Sequence, residues 1–292
     1  MLRTDMFSYA SENYHFLKRN FIRSIELLTG QKKIYGLYKK YHDEMAETEH
    51  FFFDQAVNRL DLNINYNVDA LNNIPKIGPL VIVANHPYGV LDGIVINHLT
   101  HKIRGGNFKV LSNTALYKMK EANPTLLPID FDMTTEAIQT NLETRKKARA
   151  ILKEGGCIAV FPAGGVSSIP TWKDKVAQDT EWQSFIGSLI HGSKATVVPL
   201  FFEGQNSRLF QVCSLFSLTI RLSLYIKELA DRIGSRVGVR IGSPIPYSDL
   251  EQFKDKSELM HVLRTKTYEL GDMGTLPPPQ PAYRVDTSKI KK

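Results

Sequence analysis

The hydrophobic pattern divides this chain into a helical opening and a longer stretch in which strands and helices alternate. Before residue 61 the apolar positions recur at spacings of three and four. Tyr14, Leu17, Phe21, Ile25 and Leu28 form one stripe, with Lys18, Arg19 and Arg23 interleaved. Such a stripe either faces a core or lies in the headgroup plane of a membrane. A short basic, Tyr-rich helix is expected over 31–41, and a third over 47–60 carrying Phe51-Phe52-Phe53. The alternation Leu62-Asn63-Ile64-Asn65-Tyr66 predicts a half-exposed strand.

From Pro79 onward the grammar changes. Val81-Ile82-Val83-Ala84 is an apolar, β-branched run behind Gly78-Pro79, which predicts a buried strand; helical spacing follows from Ile94 to Lys102. Further strands are expected over 108–111, 126–129, 157–161, 196–201 and 236–241. Helices are expected over 134–154 (Thr134 at its start, Gly155-Gly156 at its end), 181–191 and 249–270. This order predicts an α/β fold: a mostly parallel twisted sheet with helices on both faces, preceded by an N-terminal helical segment. The expected divisions are a helical, membrane-associating segment at 1–60, one domain at 61–272 and a disordered tail at 273–292 containing Pro277-Pro278-Pro279-Gln280-Pro281. The segment 208–226 is dense in apolar residues but broken by Arg221 and several Ser and Gln. It is either a core helix pair or a lipid-facing lip.

Composition narrows the partners. Of the 292 residues, 42% are hydrophobic and 23% charged, enough apolar material for a substantial core. The net charge of +7 fits acidic partners: anionic lipid, nucleic acid or an acidic carrier protein. Cys157 and Cys213 both lie in apolar runs and read as reduced, buried residues rather than a disulfide or metal ligands. No uncharged run reaches the length of a membrane span and no signal sequence opens the chain, so a peripheral protein is expected.

Two polar turns carry the candidate chemistry. The first, after the 81–84 strand, reads Asn85-His86-Pro87-Tyr88-Gly89-Val90-Leu91-Asp92. His86 can take and return a proton near neutral pH, and Asp92 is near enough to orient it. In the plainer reading Asp92 caps a helix starting at Gly93 and His86 is a satisfied turn residue. The second turn, Phe161-Pro162-Ala163-Gly164-Gly165, follows another strand. Its glycines can present N–H groups to an oxyanion, or simply make a tight turn. Ser167 and Ser168 lack the Gly-x-Ser-x-Gly elbow of serine hydrolases. His98 and His101 lack a third ligand for zinc, so no metal and no cofactor are expected.

These motifs, in this order, resemble the glycerolipid and lysophospholipid acyltransferase superfamily: Asn85-His86 with Asp92, then Phe161-Pro162-Ala163-Gly164, then Val198-Pro199-Leu200. The resemblance implies acyl transfer with His86 and Asp92 as catalytic residues, and Asn85, Phe161, Pro162, Ala163, Gly164 and Gly165 as substrate-binding ones. In that superfamily the His and Asp are usually one residue closer. Its third motif usually continues Glu-Gly-Thr-Arg, where this chain has Ala163, Gly164, Gly165 and Val166, and Phe131 follows Ile129-Asp130 where a second Arg is common. Two cationic phosphate partners are thus apolar, so an acceptor without a phosphate is expected. The longer His–Asp spacing, Phe-Pro-Ala-Gly and Gly204-Gln205-Asn206-Ser207 are similar to a branch containing bacterial ornithine-lipid acyltransferases and chains named hemolysins. That branch implies transfer of a fatty acyl group from acyl carrier protein (or coenzyme A) to the 3-hydroxyl of a lyso-ornithine or related aminoacyl lipid. The implied location is peripheral, on the cytoplasmic face of a bacterial inner membrane, with no nucleic acid partner. The alternatives are a 1-acylglycerol-3-phosphate or other lysophospholipid acyltransferase, and, in another class, a non-catalytic lipid-binding or membrane-lytic protein.

The basic cluster Arg145, Lys146, Lys147, Arg149 and Lys153 on the 134–154 helix either complements the helix dipole or receives an acidic carrier protein.

Overall fold

A computed structural model describes residues 7–10, 14–45, 51–113, 117, 119–130, 134–273 and 279–280. Seven strands form one sheet. In chain order they are β1 (Asn63–Asn65), β2 (Leu80–Ala84), β3 (Phe108–Asn113), β4 (Leu126–Ile129), β5 (Cys157–Val160), β6 (Thr196–Phe202) and β7 (Arg236–Ile241). Across the sheet the order is β1-β7-β6-β2-β5-β3-β4. The run from β6 to β4 is parallel throughout, and the β6–β7 pair is antiparallel. The mostly parallel α/β sheet expected from the sequence is the one observed.

The central strands are buried on both faces, which is why their sequences read as unbroken apolar runs. In β2, Leu80, Ile82 and Ala84 enter one core while Val81 and Val83 enter the other. In β5, Cys157 and Ala159 join the first core, and Ile158 and Val160 the second. The first core is covered by α3 (Phe52–Arg59), α5 (Val90–Arg104) and α9 (Leu218–Asp231). The second is covered by α6 (Thr135–Lys153), α7 (Ser184–Ser193) and α11 (Lys256–Glu269). Burial pushes the Cys157 thiol up to about 12, and both cysteines are free.

Several expectations are corrected in detail. The C-terminal helix expected at 249–270 is two: α10 (Tyr247–Leu250) and α11, capped separately by the Asp255 carboxylate on Ser257 and Glu258 N–H. The helix expected at 47–60 starts at Phe52, and residues 46–50 lie outside the described residues. So does most of the expected tail, residues 274–278 and 281–292.

The first helix, α1 (Phe16–Thr29), packs on α9, but not with the stripe its sequence suggests. Its buried residues are Ile22 and Glu26. The Glu26 carboxylate accepts from the Ser8 hydroxyl at 2.6 Å and the Tyr9 N–H at 2.8 Å, so a charged side chain faces inward. Leu17, Phe21 and Leu28 remain exposed, at 69%, 47% and 86%. The 208–226 segment forms α8 (Arg208–Phe216) and the start of α9. Phe210 and Leu224 are buried between helices, and Leu209, Phe216 and Leu218 are exposed. Core packing and an outward apolar face therefore coexist in both segments. No helix among the described residues is long and apolar enough to cross a membrane.

Candidate active site

β6, β2 and β5 are parallel neighbours, so the turns that follow them lie together at one edge of the sheet, where open α/β sheets place ligands. The chain leaves β2 through Asn85, whose amide donates to the Phe202 carbonyl (3.0 Å) and accepts from its N–H (2.7 Å). Both ends of that buried amide are engaged with backbone. Asn85, expected to bind substrate, clamps β2 to β6, and it does not line the cavity described below.

The next residues make the turn. Gly89 has φ 81°, a conformation cheap only for glycine, and α5 begins immediately after it. Asp92 thus lies in the first turn of α5 instead of capping a helix begun at Gly93. Its Oδ2 accepts the N–H groups of Tyr88 (2.7 Å) and Gly89 (3.0 Å) and meets His86 Nδ1 at 3.0 Å. The two readings of Asp92 are therefore one arrangement, in which the carboxylate closes the helix end and orients the imidazole. Burial pushes the Asp92 carboxyl up, opposed by the bond from His86 and the Tyr88 and Gly89 N–H groups. When Asp92 is ionised it takes the Nδ1 proton of His86 as a hydrogen bond, which leaves the lone pair on Nε2.

The second turn closes over the imidazole. The Phe161 ring stacks on His86 with centroids 3.9 Å apart and planes inclined by 16°. Gly164, at φ 73°, donates its N–H to the Phe161 carbonyl at 3.0 Å, so that group is used inside the turn. The N–H groups of Gly165 and Val166 make no hydrogen bond among the described residues. His86, Phe161, Pro162, Ala163, Gly164 and Gly165 all line one cavity of about 1140 Å³. It is also lined by Ile34 and Leu37 of α2 (Gln31–Met45) and by Phe52 and Phe53 of α3. Asn141, Arg145 and His261 line it too.

Sequence reasoning missed Asp179. This buried carboxylate accepts from the His86 backbone N–H (3.2 Å) and the Ser167 hydroxyl (2.5 Å) through Oδ1, and from Trp182 Nε1 (2.9 Å) through Oδ2. The Ser167 N–H in turn donates to the His86 carbonyl at 2.8 Å. Asp179 thereby ties the two turns together from behind. Burial pushes its carboxyl up, opposed by the Ser167 and Trp182 bonds. It lies in an aperiodic loop, where no spacing or motif singles it out. Gly204-Gln205-Asn206-Ser207 buttresses the same site. A Cβ at Gly204 would run into the Tyr88 hydroxyl, and the Asn206 N–H donates to the Pro87 carbonyl at 3.3 Å.

An acyltransferase family model matches residues 41–274 of the 292. The chain belongs to the acyltransferase family. Two lyso-glycine lipid O-acyltransferases, from Phocaeicola vulgatus and Bacteroides thetaiotaomicron, are each 24% identical to it. The alignments cover 89% of this chain and 91% and 93% of those relatives, respectively. The crystal structure of the 1-acyl-sn-glycerophosphate acyltransferase PlsC from Thermotoga maritima is similar at 14% identity and a TM-score of 0.44, covering 89% of this chain and 90% of that one. The expectation of a non-catalytic lipid binder or membrane-lytic protein is set aside, since this acyltransferase is an enzyme.

His98 and His101 of the acyltransferase meet Asp54 through their Nδ1 atoms, at 2.6 and 3.3 Å. They pin α3 to α5. No group of three or more metal-ligating side chains occurs among the described residues.

Proposed function

We propose that this acyltransferase moves a fatty acyl group from a thioester, in first place that of acyl carrier protein, to the hydroxyl of a lyso-lipid with an amino-acid headgroup. The observation that carries the reading is the oriented imidazole: His86 is held by Asp92 at 3.0 Å and stacked on Phe161, at a largely apolar cavity. In this mechanism His86 Nε2 accepts the proton of the acceptor hydroxyl as its oxygen attacks the thioester carbonyl. The N–H groups of Gly165 and Val166 stabilise the oxyanion, a contribution typically worth about a hundredfold or more in rate per donor. Collapse of the intermediate breaks the C–S bond, and the imidazolium returns the proton to the leaving thiolate.

The acceptor class rests on three supports. Val166 and Phe131 stand where the superfamily places cations for a phosphate. The Gly-x-Asn-Ser stretch is that of the ornithine-lipid branch. The two relatives above are named for a lyso-glycine lipid. Ornithine or glycine headgroups satisfy this chemistry equally, and both leave a free carboxylate. The enzyme works at a membrane surface, with the cytoplasmic face of a bacterial inner membrane as the proposed place. The exposed Leu17, Phe21 and Leu28 beside Lys18 and Arg19 support that reading.

The decisive experiment is His86→Ala, assayed with an acyl thioester and a panel of lyso-amino-acid lipids and lysophospholipids. Wild type should acylate the amino-acid lipids in preference to 1-acylglycerol-3-phosphate, and the variant should transfer nothing while melting like wild type. Full activity in the variant removes His86 as base. A preference for the phosphate acceptor removes the acceptor class.

A further inference from the structure

The turn that carries the oxyanion donors has no cation of its own, because Val166 stands at the superfamily's Arg position. A cation nevertheless reaches it from another element. Arg221, in the first turn of α9, donates through Nη2 to the Val166 carbonyl and through Nε to the Tyr225 hydroxyl at 3.2 Å. Both partners line the catalytic cavity. Both also approach Gly89, the corner between His86 and Asp92. A Cβ there would lie 3.1 Å from Val166 Cγ2 and 3.4 Å from the Tyr225 ring. The guanidinium is thus one residue from Ser167, whose N–H holds the His86 carbonyl.

This guanidinium is half-buried and under-used. Its two bonds go to neutral oxygens and engage two of its five donors. Among the described residues it has no carboxylate partner. Its other contact is the buried Phe210 ring, 5.6 Å from Cζ to centroid. Lys227, further along α9, pairs with Asp231, whereas Arg232 at its C-cap likewise donates to a neutral oxygen, the Gln205 carbonyl. Burial against aromatic walls strengthens attraction for any anion that enters, and the planar fork suits a carboxylate. Arg145, which itself lines the cavity, lies over the Phe185 ring, 4.8 Å from Cζ to centroid, on the exposed basic face of α6. That face suits the donor.

We propose that Arg221 forms the headgroup subsite of this enzyme and binds the free carboxylate of the amino-acid lipid acceptor. The inference rests on the acceptor class proposed above and assigns its recognition to α9 rather than to the catalytic turn. Between a 3-hydroxyl and the carboxylate of an N-(3-hydroxyacyl) amino acid there are only a few bonds. Arg221 does not itself line the cavity, so on this proposal the carboxylate reaches it past Val166 and Tyr225, which do.

The test compares the full-length wild type with Arg221→Gln and Arg221→Lys, using N-(3-hydroxyhexadecanoyl)glycine, its methyl ester and 1-acylglycerol-3-phosphate in detergent micelles. Equilibrium binding is read by calorimetry and acyl transfer by initial rates. A charge-assisted bond implies that wild type binds the acid about tenfold or more tightly than the ester. Arg221→Gln should abolish that ratio and Arg221→Lys should retain part of it. Taking the acid-to-ester ratio within each protein cancels any general loosening of the Val166 turn. Persistence of the ratio in Arg221→Gln, or its absence in wild type, overturns the subsite. Tighter, Arg221-dependent binding of the phosphate overturns its assignment to a carboxylate. An Arg221-dependent ratio in a wild type that transfers no acyl group supports the subsite and overturns only the proposed reaction.

Discussion

Replacing Asp92 by Asn separates the two things its carboxylate does, because the amide can keep one and must lose the other. An Asn oxygen placed at Oδ2 still accepts the N–H groups of Tyr88 and Gly89, so the α5 N-terminus stays closed. The amide nitrogen then takes the position of Oδ1, which has no partner, and no existing bond is broken. What disappears is the negative charge 3.0 Å from His86 Nδ1. Two unit charges at that distance attract by about 5.5 kcal/mol at an effective dielectric of about 20. If roughly half a charge has developed on the imidazole in the transition state, about 2.8 kcal/mol is lost, or on the order of a hundredfold in rate. The expected result is a kcat about a hundredfold below wild type at saturating acceptor, with a melting temperature within a few degrees. Steady-state acyl transfer and circular-dichroism melting measure the two quantities on one preparation. A kcat within about fivefold of wild type, with His86→Ala inactive, would refute the reasoning: the imidazole would then work without its carboxylate. A collapse in melting temperature would show that the charge serves the fold.

Other perturbations test the surroundings. Asp179→Asn should lower kcat more than about tenfold with little change in KM, since it loosens the tie between the His86 turn and Ser167 without touching substrate; a change confined to KM removes that role. Phe21→Asp with Leu17→Asp should release the protein from anionic vesicles in a sedimentation assay with solution activity retained, and unchanged binding would move attention to Leu209, Phe216 and Leu218. Reversal of Lys146 and Lys147 to Glu should raise KM for acyl carrier protein several-fold at low salt and not at high salt, whereas an unchanged KM means that α6 is only a solvated face.

Much of this was legible beforehand, and the physical reason is the same in each case. β2, β5 and β6 are buried on both faces, so their apolar runs are continuous and their ends are marked by Gly and Pro. The turns at those ends carry the motifs, and parallel pairing of neighbouring strands brings them together. Illegible were the features set by tertiary contacts. α1 turns Glu26 inward because Ser8 and Tyr9 satisfy it, which no amphipathic pattern reveals. Asn85 reads like a site residue, but the Phe202 backbone occupies both ends of its amide. Asp179 is a lone carboxylate in an aperiodic loop, and only the folded chain places it behind His86.

The arrangement suggests how one catalytic turn can serve different acceptors. His86, Asp92 and Phe161 depend on β2, β5 and the Gly89 corner, all within the sheet and its first core. Arg221 belongs to α9, which joins the satellite cluster of Val166, Phe210 and Leu224. A cation supplied by the turn itself fixes the anion close to the oxyanion donors. On the proposal above, a cation supplied by α9 sets it back behind Val166, and Tyr225 of the same helix also packs against the Gly89 corner. On that proposal the turn carries no charge at Val166, and Arg221 supplies one from α9 through its bond to the Val166 carbonyl. Restoring Arg at 166 alone would therefore place two guanidinium groups side by side and weaken the binding of a carboxylate acceptor.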